Sequence, residues 1–125
     1  MPNEYVPGVC NIGPAEIALR RRFGWIGLGV TALLWAALAL LGANPYWRLT
    51  TALPAMLAAI GFLQAHLHFC AGFGLRGLKN FGPQAGKGDT VLQAEFRKQD
   101  RSRALQIIAY SIVLGAVVAV VAYFI

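Results

Sequence analysis

The sequence predicts an all-α membrane protein with three transmembrane helices, a helical hairpin followed by a C-terminal helix with a cytoplasmic extension. Three observations predict it. Hydrophobic residues make up 58% of the 125 positions and charged residues only 13%, a balance too apolar for a soluble domain of this size. The runs Phe23 to Leu41, Leu49 to Gly74 and Ala104 to Ile125 are nearly or wholly free of charge, and a span takes about 20 such residues. Of the eleven Lys and Arg residues, only Arg48 falls between the first two runs. Basic residues collect on the cytoplasmic side of a membrane, which puts the N-terminus and the Arg76 to Arg103 region in the cytoplasm and Ile125 outside.

Residues 1–13 read as an N-terminal cytoplasmic loop, broken by Pro2, Pro7, Gly8 and Gly13. Residues 14–75 form the predicted hairpin. Pro14 suits a first helical turn and Glu16 sets negative charge at its positive end. Arg20, Arg21 and Arg22 then precede the apolar run, as in a signal peptide, but the run is too long for a signal-peptide core and reads as a retained helix. The turn GANPYWR has Pro45 as breaker and Tyr46 and Trp47 suited to the aromatic belt. A second helix is expected from about Leu49 to Ala71. Residues 76–89 are rich in glycine and lysine and read as an exposed cytoplasmic linker. Thr90 with Gln93 has the form of a capping box, so residues 90–125 are expected to be one helix that enters the bilayer near Ala104. Ser111, Gly115, Ala119 and Tyr123 recur every four residues, and with Gly24 and Gly27 they offer surfaces on which helices approach closely. Such stripes serve packing within one chain or against a partner subunit.

The polar residues Gln64, His66, His68 and Cys70 gather at one end of the second apolar run, where unpaired polar groups are costly beside lipid. Cys10 and Cys70 are too few for a disulfide scaffold and read as thiols or as one pair, a pair being disfavoured in a reducing compartment. Cys10, just ahead of a helix start and followed by arginines, has a case as a redox thiol with Cys70 as its resolving partner, against the alternative of a small buried apolar residue. For zinc, Cys10, His66, His68 and Cys70 could supply two cysteines and two histidines. A straight helix would put His66 and Cys70 on one face and turn His68 about 200° from His66. A haem or chlorophyll-type pigment could take one histidine as axial ligand. The alternative for both histidines is hydrogen bonding to carbonyls or a place among lipid headgroups. No cofactor is predicted. Gly72, Gly74 and Gly77 match the GxGxxG spacing but follow a membrane helix instead of a strand, so they carry no dinucleotide site.

The stretch NIGPAEIALRRRFG resembles the opening of a small two-helix inner-membrane domain family found alone or fused to membrane-bound rhodaneses. Asn11, Gly13, Glu16, Arg20 and Gly24 stand at the family's places, and Cys70 with Gly72 and Gly74 is similar to its ending. Ile17 stands where an arginine is usual. The resemblance covers residues 11–74 and implies a hairpin with both ends cytoplasmic and a loose association with sulfur handling. No rhodanese domain accompanies it in this chain.

The net charge of +6 comes from cations flanking apolar runs, which points to membrane lipids and not to nucleic acid. Arg20, Arg21, Arg22, Arg101 and Arg103 are the expected headgroup contacts. No complete catalytic constellation is present. The expected role is therefore a non-catalytic accessory or scaffold subunit that meets a larger membrane protein or further copies of itself. A thiol protein using Cys10 and Cys70 is the second reading. A small homo-oligomeric transporter is the third, poorly served because no carboxylate sits within a span.

Overall fold

Three helices long and apolar enough to cross a membrane dominate the computed structural model, which describes residues 4–125. Pro2, read above as a breaker, lies outside the described residues. Helix α1 spans Pro14–Leu40. A 3-10 turn, Pro45–Thr51, leads into α2, Ala52–Leu67. The Asn44 side chain starts that turn by accepting the Tyr46 N–H at 3.0 Å. After a break come the short helix α3, Ala71–Arg76, and a two-residue antiparallel ribbon in which β1, Leu78–Lys79, pairs with β2, Asp89–Thr90. Helix α4 runs from Ala94 to Phe124. Helix α2 lies between α1 and α4.

Small residues let these helices touch backbone to backbone. A methyl placed on Gly61 would fall 2.6 Å from the Gly24 nitrogen, and one on Gly27 would fall 2.6 Å from the Ala58 nitrogen. On the other side of α2, a methyl on Gly115 would collide with Met56 and stand 2.9 Å from the Ala52 carbonyl. Ser111, Gly115 and Ala119 are buried along α4, and Tyr123 lies half-buried against Tyr46. The stripe is thus used within the chain. Away from it, Trp25, Leu33, Leu53, Val113 and Val117 are exposed, as lipid-facing positions are.

The bulky core is concentrated at the end of the bundle where α1 and α4 begin, here called the polar end. Ile12, Ile17, Ala65, Cys70 and Phe73 form one buried cluster there, and Phe69, Ala71, Ala104 and Ile107 form another.

Three expectations need correction. The second helix does not continue to Ala71. It stops at Leu67, and His68 adopts a left-handed conformation (φ 54°, ψ 40°) that ends it. The third helix does not begin with a Thr90/Gln93 capping box. Thr90 belongs to β2, Gln93 is the residue before the helix, and its side chain makes no capping bond. Nor is the linker wholly exposed: Gly77 and Asn80 are buried and Leu78, Lys79 and Phe81 half-buried, while Arg76 and residues 82–90 lie outside.

Candidate functional site

The polar end is built around the break between α2 and α3. Ending α2 at Leu67 leaves backbone groups without helical partners, and these must be satisfied locally. Gln64 supplies two acceptors: its carbonyl takes the Phe69 N–H at 3.1 Å, and its side-chain Oε1 takes the Ala71 N–H at 2.8 Å. Asn11 supplies the rest from far away in the chain. Its Oδ1 accepts the Cys70 N–H at 2.7 Å while its Nδ2 donates to the Cys70 carbonyl at 3.1 Å. Its backbone N–H donates to the His68 carbonyl at 3.1 Å. One fully buried asparagine thus clamps the break on both sides.

Beside this clamp lies a buried ion pair. Glu16 is 1% exposed, and its Oε2 stands 2.6 Å from Arg20 Nη1. Its Oε1 accepts Asn80 Nδ2 at 2.8 Å and also the Gly86 N–H. A buried carboxylate is tolerable only when its charge and lone pairs are met in this way. Asn80 carries the network into the linker: its N–H donates to the Asn11 carbonyl at 2.9 Å and its carbonyl accepts the Gly13 N–H at 2.8 Å. The other Arg20 nitrogen, Nη2, donates to Cys70 Sγ at 3.0 Å, and the guanidinium lies 5.7 Å from the centre of the Phe73 ring.

A second buried carboxylate, Asp100 on α4, fixes the N-terminal loop. Tyr5 donates its hydroxyl to Oδ2 at 2.6 Å and the Gly8 N–H donates to Oδ1 at 2.7 Å. Burial, with the Asp100 bond and charge added, pushes the Tyr5 hydroxyl well above the ordinary tyrosine range.

The sequence-predicted residues divide clearly. Cys10 and Cys70 are both buried and form no disulfide. Cys10 donates to the Ile12 carbonyl at 3.6 Å, and burial raises its thiol above the usual cysteine range despite that bond. Cys70 serves instead as the acceptor for Arg20. His66 is exposed, whereas His68 is half-buried with its Nδ1 unsatisfied. Burial is the main influence holding His68 below the ordinary histidine range. Because α2 ends before residue 68, the straight-helix relation between His66 and Cys70 does not exist. Among the described residues, no group of three His, Cys, Asp or Glu side chains comes together as metal ligands, so Cys10, His66, His68 and Cys70 are not assembled into one site.

Arg20 also changes place. Expected among lipid headgroups, it turns inward with its side chain only 13% exposed, because Glu16 one turn earlier is buried and needs a cation. Arg21, Arg22 and Arg101 are exposed, and Arg103 is half-buried, donating to Gln106 at 3.2 Å. Asn80 and Asp100 were not singled out from the sequence. A signal for Asp100 was present, since the stripe of Ser111, Gly115 and Ala119 extends backwards through Ile107 and Ala104 to it. Asn80 sits in a glycine-rich stretch with no periodic signal.

Compared with known proteins, the chain matches no protein-family model, no curated protein and no solved structure.

Proposed function

We propose that this chain is a small non-catalytic integral membrane protein of a prokaryotic inner membrane, an accessory or scaffold subunit with its polar end in the cytoplasm. The observation that carries this reading is how the buried polar groups are used. Asn11, Glu16, Gln64, Asn80 and Asp100 direct their hydrogen bonds to the chain's own backbone and side chains, tying the N-terminal loop, the α2–α3 break and the linker into one cap. A cap held this way is suited to presenting a fixed surface, and the apolar helices beneath it offer broad faces to lipid and to other membrane proteins. The placement of ten of eleven basic residues beside that cap supports its cytoplasmic orientation. The likeness to the rhodanese-associated hairpin family is part of the same reading, because Asn11, Glu16, Arg20 and Cys70 meet in the cap and Gly24 lies at the α1–α2 contact.

The test is to extract the tagged protein from its native membranes in mild detergent and identify what co-purifies. A larger membrane protein in stoichiometric amount supports the reading and names the process. A chain that runs alone or only with itself removes it.

One observation favours a second reading, a thiol protein: the Arg20 guanidinium donates to Cys70 Sγ at 3.0 Å. Mild oxidation followed by intact-mass measurement tests it. A sulfenic acid, a mixed disulfide or a Cys10–Cys70 bond supports the reading, and an unmodified chain ends it.

A further inference from the structure

A cleft of about 420 Å³ opens between the end of α3 and the first turns of α4, lined by Gly74, Leu75, Gly77 and Ala94 and by four cations, Arg76, Arg97, Lys98 and Arg101. No acidic residue lines it, and among the described residues none of the four cations forms an ion pair. Four like charges around one cleft repel one another, and an anion relieves that repulsion.

Two of the cations are held in place by the fold. Arg97 donates through Nη1 to the Val91 and Leu92 carbonyls at 2.7 and 2.9 Å, and its stem lies against Gly77, where a methyl would fall 2.6 Å from Cδ. Arg76 donates through Nε to the Gly72 carbonyl at 3.1 Å and lies 5.5 Å from the centre of the Phe73 ring. Among the described residues, these bonds leave Nη2 of Arg97 and both Nη atoms of Arg76 without a protein acceptor. The Lys98 and Arg101 side chains are exposed and, among the described residues, form no hydrogen bond. Fixed guanidinium forks suit phosphate oxygens.

The position of the cleft along α4 identifies the source of the phosphate. The uncharged run begins at Ala104, so Arg101 stands about 4.5 Å and Arg97 about 10 Å above it, at 1.5 Å per residue. The headgroup layer reaches about 5–8 Å beyond the hydrocarbon core, so the lower part of the cleft lies within it. Leu75, 43% exposed in the lining, provides an apolar contact of the kind a glycerol backbone or the start of an acyl chain needs. We propose that this cleft binds the phosphate of an anionic phospholipid headgroup through Arg76, Arg97, Lys98 and Arg101. The inference does not rest on the accessory-subunit reading.

The experiment is native mass spectrometry of the full chain in mild detergent, titrated with dioleoylphosphatidylglycerol and, separately, with dioleoylphosphatidylcholine. One phosphatidylglycerol should bind at least about tenfold more tightly than phosphatidylcholine. Lys98→Gln and Arg101→Gln should each weaken it about fivefold and together about 25-fold, the effect of removing one or two membrane-facing cations. Lys87→Gln removes the same charge from the exposed linker and should leave binding within about twofold. Equal binding of the two lipids overturns the proposal, as does an equal effect of Lys87→Gln, which would make the attraction diffuse. Displacement of the lipid by millimolar inorganic phosphate also overturns it, because the site would then be one for a free anion.

Discussion

Asn11→Ala tests the cap at its narrowest point. The substitution removes both side-chain bonds to Cys70 but leaves the Asn11 backbone bonds to His68 and Asn80 in place. The Cys70 carbonyl keeps a partner, because it also accepts the Gly74 N–H at 2.9 Å. The Cys70 N–H keeps none. A buried donor left unsatisfied costs about 1–3 kcal/mol, and the void left by the carboxamide adds about 1 kcal/mol, so the expected loss is about 2–4 kcal/mol. For a chain of this length, 1 kcal/mol corresponds to about 3–5 °C in the melting midpoint, which predicts a fall of about 6–20 °C in detergent. The paired measurement is alkylation of Cys70, which is 4% exposed and should become accessible well below the wild-type midpoint. Asn11→Asp separates volume from chemistry. It keeps an acceptor for the Cys70 N–H but turns a second carboxylate oxygen toward the Cys70 carbonyl, and should be at least as damaging. If Asn11→Ala melts within about 2 °C of wild type with Cys70 still protected, the clamp does not hold the break.

Three further outcomes follow from the same geometry. Gly61→Ala should cost about 1–3 kcal/mol, because its methyl would stand 2.6 Å from the Gly24 nitrogen, while Gly29→Ala, with nothing within 4 Å, should be neutral or gain up to about 1 kcal/mol of helix propensity; thermal unfolding of the pair compares them directly. His68 is held below the ordinary histidine range chiefly by burial, so the folded state favours the neutral ring; its contribution to stability is complete above the unfolded value of about 6.5 and is lost as pH falls through the folded value. Asn at position 68 tolerates the left-handed backbone, so His68→Asn should flatten the melting midpoint between about pH 7 and pH 5, and an unchanged pH slope would refute the assignment. Tyr5→Phe removes the donor to Asp100 Oδ2, leaving the Gly8 N–H on the other oxygen; it should lower stability by about 1–3 kcal/mol and remove from an ultraviolet titration a tyrosine that ionises well above the ordinary tyrosine range.

The three spans were legible because their signal is local. A charge-free run of sufficient length is visible wherever it occurs, and so is a repeat of Ser111, Gly115 and Ala119 at four-residue spacing. The break at His68 was not legible for the opposite reason. No proline or glycine stands between Leu67 and Cys70, and the segment read as continuing helix by every local rule. It is ended by Asn11, 59 positions away from Cys70, together with the Gln64 side chain. The supposed capping box fails similarly. Thr90 pairs with Leu78, the Val91 N–H donates to the Gly77 carbonyl, and Arg97 takes the Val91 and Leu92 carbonyls, so the helix starts only at Ala94. Arg20 was read by its position among three arginines, whereas its direction is set by the burial of Glu16.

The division between an apolar bundle and a polar cap has a consequence for how the chain specifies one arrangement. Contacts through Gly24, Gly27, Gly61 and Gly115 are made by smooth, nearly featureless helix faces, and van der Waals packing alone distinguishes weakly between one register and the next. Sliding α1 past α2 by one turn would carry Arg20 away from Cys70 and draw Asn11 off the α2–α3 break. Sliding α4 would withdraw Asp100 from Tyr5 and Gly8. Each shift would leave a buried carboxylate or a buried N–H without a partner, a cost of several kcal/mol against small changes in packing. Close approach therefore allows the helices to associate, while the polar residues at one end select the register in which they do so. A variant that replaces Glu16 and Arg20 together by Gln and Met should on this reasoning lose uniqueness before it loses helix. Its circular dichroism should remain that of the wild type while its amide resonances broaden or multiply, and a single sharp set of resonances would show that packing alone suffices.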